Sequence, residues 1–115
     1  MKSFGSSKEF VFGADAPWDV VGEGVRRQIM AYDDTIMLVN VEFKKGGIGV
    51  MHQHYHSQVT HVVSGSFKVT IGDETNVLNG GDSFYIPPNI MHGAICLEDG
   101  ILIDVFSPIR EDFME

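Results

Sequence analysis

Cysteine is almost missing from this chain of 115 residues: Cys96 stands alone. No internal disulfide can therefore staple the fold, and the usage fits a reducing compartment, so a cytoplasmic protein is expected. Long apolar runs are missing too. None approaches the roughly 18 to 20 residues that a bilayer-spanning helix needs, and residues Met1 to Asp15 mix Ser, Gly, Lys and Glu without the apolar segment and cleavage site of a secretory signal. Basic residues are scarce, with 8 Lys and Arg against 16 Asp and Glu, a formal net charge of −8. Nucleic acids and anionic membranes demand clustered cations, so neither is an expected partner. Any anionic ligand must be held by a few local cations or by a metal. Repeats, low-complexity segments and a convincing 3.6-residue apolar period are also absent.

What is present reads as strands. The length suits one domain with one core, and 43% hydrophobic with 21% charged residues is ordinary globular composition. Residues 1–24 are rich in Gly and Ser, carry Phe4, Phe10, Phe12 and Trp18 at irregular spacing and contain Pro17. They read as an N-terminal arm that packs on a surface, such as that of a second subunit. A β domain over residues 25–115 follows. Strands are predicted over 25–32, 36–43, 50–55, 59–63, 67–71, 75–78, 84–86, 94–97 and 101–106. Turns are predicted at Asp33-Asp34, Lys44 to Gly47, Ser64-Gly65, Gly72-Asp73, Asn79 to Asp82, Pro87 to Asn89 and Glu98 to Gly100. Only the tail from Pro108 to Phe113 suits a helical turn. Turn signals every eight to twelve residues predict an all-β sandwich or barrel.

All five histidines fall in two windows, four between His52 and His61 and the fifth at His92. Side chains alternate along a strand, so His52 and His54 point the same way if both are extended. With Gln58 four residues on and a third His from another strand, they can converge on one metal ion. An isolated HxH is more often a surface pair, and His56 and His61 are commonly solvated or supporting residues. Asp104 interrupts the apolar run Ile101 to Phe106, where a carboxylate is costly unless paired or functional. Strand parity puts Leu102, Asp104 and Phe106 on one face. Asp104 is then either half of a salt bridge to an arginine or a desolvated proton shuttle of raised pKa. Arg110 can pair with a ligand carboxylate. Arg26 and Arg27 point to opposite faces of a strand, and parity does not say which meets ligand. Cys96, between Ile95 and Leu97, reads as a small buried hydrophobe.

The spacing carries a resemblance. Gly46, His52, His54, Gln58 and Gly65 resemble the first motif of the cupin superfamily, with Gln58 where Glu is usual. Gly81, Pro87 and His92 resemble the second motif, with Asn89 where Gly is usual and Cys96 where Asn is common. The resemblance implies a single-domain cupin, a small jelly-roll β-barrel with a metal in its lumen. Pro17-Trp18, Gly24 to Arg27, Ile29 to Tyr32, Tyr85 to Asn89, Gly100 to Phe106 and Arg110 to Phe113 extend it to the KdgF family of pectin-degradation cupins, over most of residues 16–114. That family opens 4,5-unsaturated uronate monosaccharides, released from pectin or alginate, to open-chain keto acids. By position, the resemblance implies His52, His54, Gln58 and His92 as metal ligands. Asp104, Phe106 and Arg110 would then be the acid-base and substrate-contacting residues. His61 departs from the aromatic residue expected there. A neutral shell of three His and one Gln suits Zn, Ni, Mn or Fe and leaves positions for substrate oxygens. The expected partner is a small uronate, in a homodimer. Two alternatives stay open: an iron-dependent cupin dioxygenase, and a non-catalytic sugar- or metal-binding cupin.

Overall fold

Eight strands follow one another in the computed structural model: β1 Asp19–Gly22, β2 Val25–Asp33, β3 Ile36–Phe43, β4 Ile48–His52, β5 Ser57–Ile71, β6 Glu74–Asn79, β7 Ser83–Ile86 and β8 His92–Ser107. A 3-10 turn, Glu111–Met114, closes the chain, as the tail suggested. The structure describes residues 2–115; Met1, which belongs to the expected arm, lies outside the described residues. Every strand pair is antiparallel, in the order β1-β2-β3-β8-β5-β6, with β4 added to β8 and β7 to β5. The all-β cupin architecture expected from the sequence is the one observed.

Two long strands bend and so build both walls of the barrel. The second half of β8 pairs β3 and the first half of β5, while its first half pairs β4 and the second half of β5. The bend falls at register shifts around Ser64 and Ser66, opposite Glu98 to Ile101. Bulges of this kind turn a strand from one sheet into the other. This corrects two predicted turns. Ser64-Gly65 and Glu98 to Gly100 lie inside β5 and β8, and their glycines serve a close crossing. A Cβ on Gly65 would stand 2.6 Å from Gly100 Cα, and one on Gly100 would stand 2.3 Å from Ser64 O. Gly65 also has φ of 84°, which disfavours any side chain.

Inside, the period of two is plain. Met37, Val39, Val41 and Phe43 alternate as buried residues along β3. They meet Val62, Phe67, Leu102 and Phe106 from β5 and β8, and Phe43 packs edge to face on Phe67 at 5.2 Å. Cys96 is buried. The residues of the arm lie on the β2-β3 side. β1 pairs β2, Ser7 N donates to Tyr32 O, and Gln28 Nε2 donates to the carbonyls of Gly13 and Ala16. Phe4 packs on the core, whereas Phe10 and Phe12 remain 81% and 67% exposed.

Candidate metal centre and its cavity

β4 ends at His52, three residues before the predicted limit, so His54 belongs to the loop that follows. Strand alternation therefore does not bring His52 and His54 together; the loop does. Asn89 N donates to His54 O at 2.7 Å, tying that loop to the Pro-Pro-Asn bend. Asn89 is the described non-glycine residue with positive φ, 64°. Glycine suits that backbone, and asparagine is among the few side-chain residues that tolerate it. His92 opens β8 directly across from His52.

Three rings then converge. One nitrogen from each of His52, His54 and His92 lies within 4.8 Å of the other two. Backbone carbonyls set their tautomers: His52 Nδ1 is 2.8 Å from Val50 O, His92 Nδ1 is 2.8 Å from Ile90 O, and His54 Nδ1 is 3.1 Å from His56 O. A carbonyl only accepts, so each ring holds its proton on Nδ1 and leaves a bare Nε2. His92 Nε2 is buried with no hydrogen-bond partner, which is costly unless a cation takes the lone pair. Burial pulls the His92 pKa down to about 4 and, with help from Arg110, lowers that of His54. Both rings are thus neutral near pH 7, the form that binds metal.

Gln58 Oε1 faces His54 Nε2 at 3.0 Å. With the His54 proton on Nδ1, two lone pairs face each other there, an arrangement that a shared cation relieves. The amide cannot turn around, because its Nε2 donates to Thr60 Oγ1 at 2.9 Å and approaches Asp104 Oδ1 at 3.4 Å. The donor set of three imidazoles and one amide oxygen fits a borderline divalent ion.

Asp104 lies on β8 between Val39 and Thr60. Leu102, Asp104 and Phe106 face one cavity, as parity predicted. Burial pushes the Asp104 carboxyl up to about 6, against hydrogen bonds from Thr60 and Gln58 and the charge of Arg110. The cavity has a volume of about 340 Å³, near the lower end of small-molecule sites and of monosaccharide size. His52, Gln58, His92, Arg110 and Phe113 also line it. Phe106 is 2% exposed and packs edge on against His54 and Phe113. Arg110, 8% exposed, makes a bidentate ion pair with Asp112 at 3.0 and 2.9 Å and lies over Phe106 and Phe113.

Several residues reach the site without a clear sequence signal. Thr60 was missed, although its parity with Gln58 and Val62 could have found it. His56 is buried and bonds Ile109 O and Glu111 Oε1 at 3.1 and 2.7 Å, while Tyr55 donates to the other Glu111 oxygen. The loop bearing His54 is thereby tied to the segment bearing Arg110. His61 is exposed and outside the cavity. Of the adjacent arginines, Arg27 lines the cavity, whereas Arg26 pairs Glu42 and lies over Trp18.

Fold, motif and site together define a small cupin, and residues 39–106 match the Cupin domain family: the chain belongs to it. Within that family it is similar to pectin degradation protein KdgF of Dickeya dadantii (strain 3937), with 41% identity over 93% of this chain and 99% of that one. An RmlC-like cupin from Shewanella frigidimarina NCIMB 400 superposes with a TM-score of 0.91 and 45% identity, covering 94% and 97% of the two chains. KdgF from a Halomonas species superposes with a TM-score of 0.88 and 39% identity, covering 93% and 99%. No helix among the described residues is long and apolar enough to cross a membrane.

Proposed function

We propose that this chain is a metal-dependent enzyme that opens the ring of 4,5-unsaturated uronate monosaccharides to open-chain keto acids in pectin or alginate breakdown. The observation that carries the reading is the chain Gln58 to Thr60 to Asp104, which joins a half-buried acid to the convergent histidines inside one cavity. Likeness to a pectin degradation protein supports the substrate class. His52, His54, Gln58 and His92 would hold the ion, which when bound supplies a Lewis acid for substrate oxygens.

The residues of the chain do the rest. Asp104 accepts the proton of the anomeric hydroxyl as the bond between C1 and the ring oxygen breaks. C1 becomes a carbonyl, the electrons of the ring C–O bond are released to the enol, and C4 takes a proton from Asp104 as C5 becomes a ketone. Atoms and charge balance, so the net change is an isomerisation. A pKa of about 6 lets one carboxyl both take and return that proton near neutral pH. Phe106 backs the cavity behind the sugar, and Arg110 puts positive charge on the carboxylate side.

An NMR time course with freshly generated 4,5-unsaturated galacturonate, run with and without chelator, tests this. Accelerated loss of the vinylic proton, abolished by chelation, is expected. No acceleration by metal-loaded protein would sink the reading, and oxygen consumption with bound Fe(II) would replace it with a dioxygenase. Tight uronate binding without conversion would instead indicate a binding module.

A further inference from the structure

We infer that Arg27 is the anchor for the ligand's carboxylate, a role that deepens the uronate reading above and rests on it. Arg27 lies on β2 and lines the cavity. Its Nε is buried without a hydrogen-bond partner. Among the described residues its guanidinium makes no ion pair, whereas Arg26, Arg110 and Lys2 each have a carboxylate within reach. A buried guanidinium N–H without a partner is a costly feature, and it is relieved by an anion that arrives with the ligand.

The neighbours set up this vacant fork. Arg27 Cζ lies 3.6 Å from the centroid of Phe113, and Arg110 Cζ lies 4.2 Å from the same centroid. Stacking on the ring holds the Arg27 plane and leaves its N–H edge free. Arg110 is the weaker candidate for direct carboxylate contact, because Asp112 already occupies its fork bidentately. Asp19, opposite Arg27 on β1, is exposed and outside ion-pair distance. Two guanidinium groups thus share one aromatic ring with a single paired carboxylate between them. Asp112 and the more distant Asp19 favour the charged form of Arg27, but neither pairs with it. Burial and the charge of Arg110 both disfavour the charged form of Arg27, and a bound carboxylate offsets both.

The topology gives the anchor its use. Arg27 belongs to the sheet of β2, β3 and the second half of β8, whereas His52 and His92 belong to the opposite sheet of β4 and the first half of β8. A monosaccharide in the cavity meets Arg27 on one wall and the histidines on the other. Asp104, on the wall of Arg27, faces the ring between them.

The test uses D-galacturonate, which lacks the double bond and cannot undergo the proposed reaction, together with its methyl ester. Calorimetric titration of Arg27→Met should show D-galacturonate binding weakened by about 10- to 100-fold, the loss expected for a charge-assisted bidentate pair. Ester binding should be unchanged. Arg27→Lys keeps the charge but not the fork, and should lose on the order of tenfold. With the unsaturated acid, KM should rise by the same factor as the binding loss while kcat stays within about threefold, since the contact is made equally in ground and transition state. Melting temperature and metal content show whether each variant is folded. A folded Arg27→Met or Arg27→Lys protein that binds D-galacturonate within twofold of wild type overturns the inference. So does a wild type that binds acid and ester equally. Loss of wild-type turnover with intact, Arg27-dependent galacturonate binding would overturn the enzymatic reading and leave the anchor standing.

Discussion

The hydroxyl of Thr60 donates to Asp104 Oδ1 across 2.6 Å, from β5 to β8, while accepting a hydrogen bond from Gln58 Nε2. One small side chain therefore favours the ionised form of the half-buried acid, against burial, and fixes the orientation of the amide beside His54. Thr60→Val keeps the shape and removes the donor. The bond favours the ionised carboxylate, so its loss raises the Asp104 pKa further, by about one unit for a bond worth about 1.5 kcal/mol. Turnover that needs the carboxylate falls off on the acid side. The pH–rate profile should show that limb displaced upward, and an unmoved limb would separate Asp104 from the chemistry.

Asp104→Asn should lower turnover by at least about 10²-fold while bound metal, measured by elemental analysis, is retained. The same variant has a stability signature in metal-free protein. The folded-state pKa is raised from 3.8 to about 6, so the folded form binds the proton more tightly. Stability from this group is fully present below about pH 4 and is lost as pH rises through 6. Metal-free Asp104→Asn should therefore exceed wild type at pH 8 by on the order of 3 kcal/mol and match it near pH 4. Denaturant melts at the two pH values check this; a variant less stable at pH 8 contradicts it.

Adding Zn, Ni, Mn or Fe(II) to chelated protein should raise its melting temperature, because an ion that binds only the folded form stabilises it, by about 2.7 kcal/mol at a hundredfold excess over Kd. His92→Ala should abolish that rise. His61→Ala should leave it intact, since His61 is exposed and away from the cavity.

His56→Ala removes the tie between the His54 loop and Glu111. A buried side chain with a charge-assisted bond is lost, and the expected cost is about 2 to 3 kcal/mol. Glu111→Gln should cost less, because Glu111 keeps solvent access. Thermal melts check this: a His56→Ala variant that melts with wild type would show the tie to be immaterial.

We also propose that residues 1–24 form an arm at a homodimer interface, with residues 25–115 as the barrel. Phe10 and Phe12, exposed here, are the residues such an interface would cover. Light scattering should give twice the 12.7 kDa chain mass, and Phe10→Ser with Phe12→Ser should return it to one chain. A wild-type monomer removes the proposal.

Much of this protein was decided locally. Alternation along β3, the paired turn residues between short apolar runs and the spacing of His52, His54 and Gln58 are one-dimensional patterns, and each depends on neighbours within a few residues; His92 is marked by its own window of residues 81–92. The face shared by Leu102, Asp104 and Phe106 followed from parity in the same way. Glycine, by contrast, marks turns and close crossings alike. Only the packing of β5 on β8 showed that Gly65 and Gly100 make room for each other inside continuous strands. The positions of His54 in a loop, of Thr60 beside Asp104 and of Arg27 rather than Arg26 in the cavity were likewise tertiary outcomes. They depend on which strands become neighbours and which face is enclosed, and those are long-range relations that residue spacing does not encode.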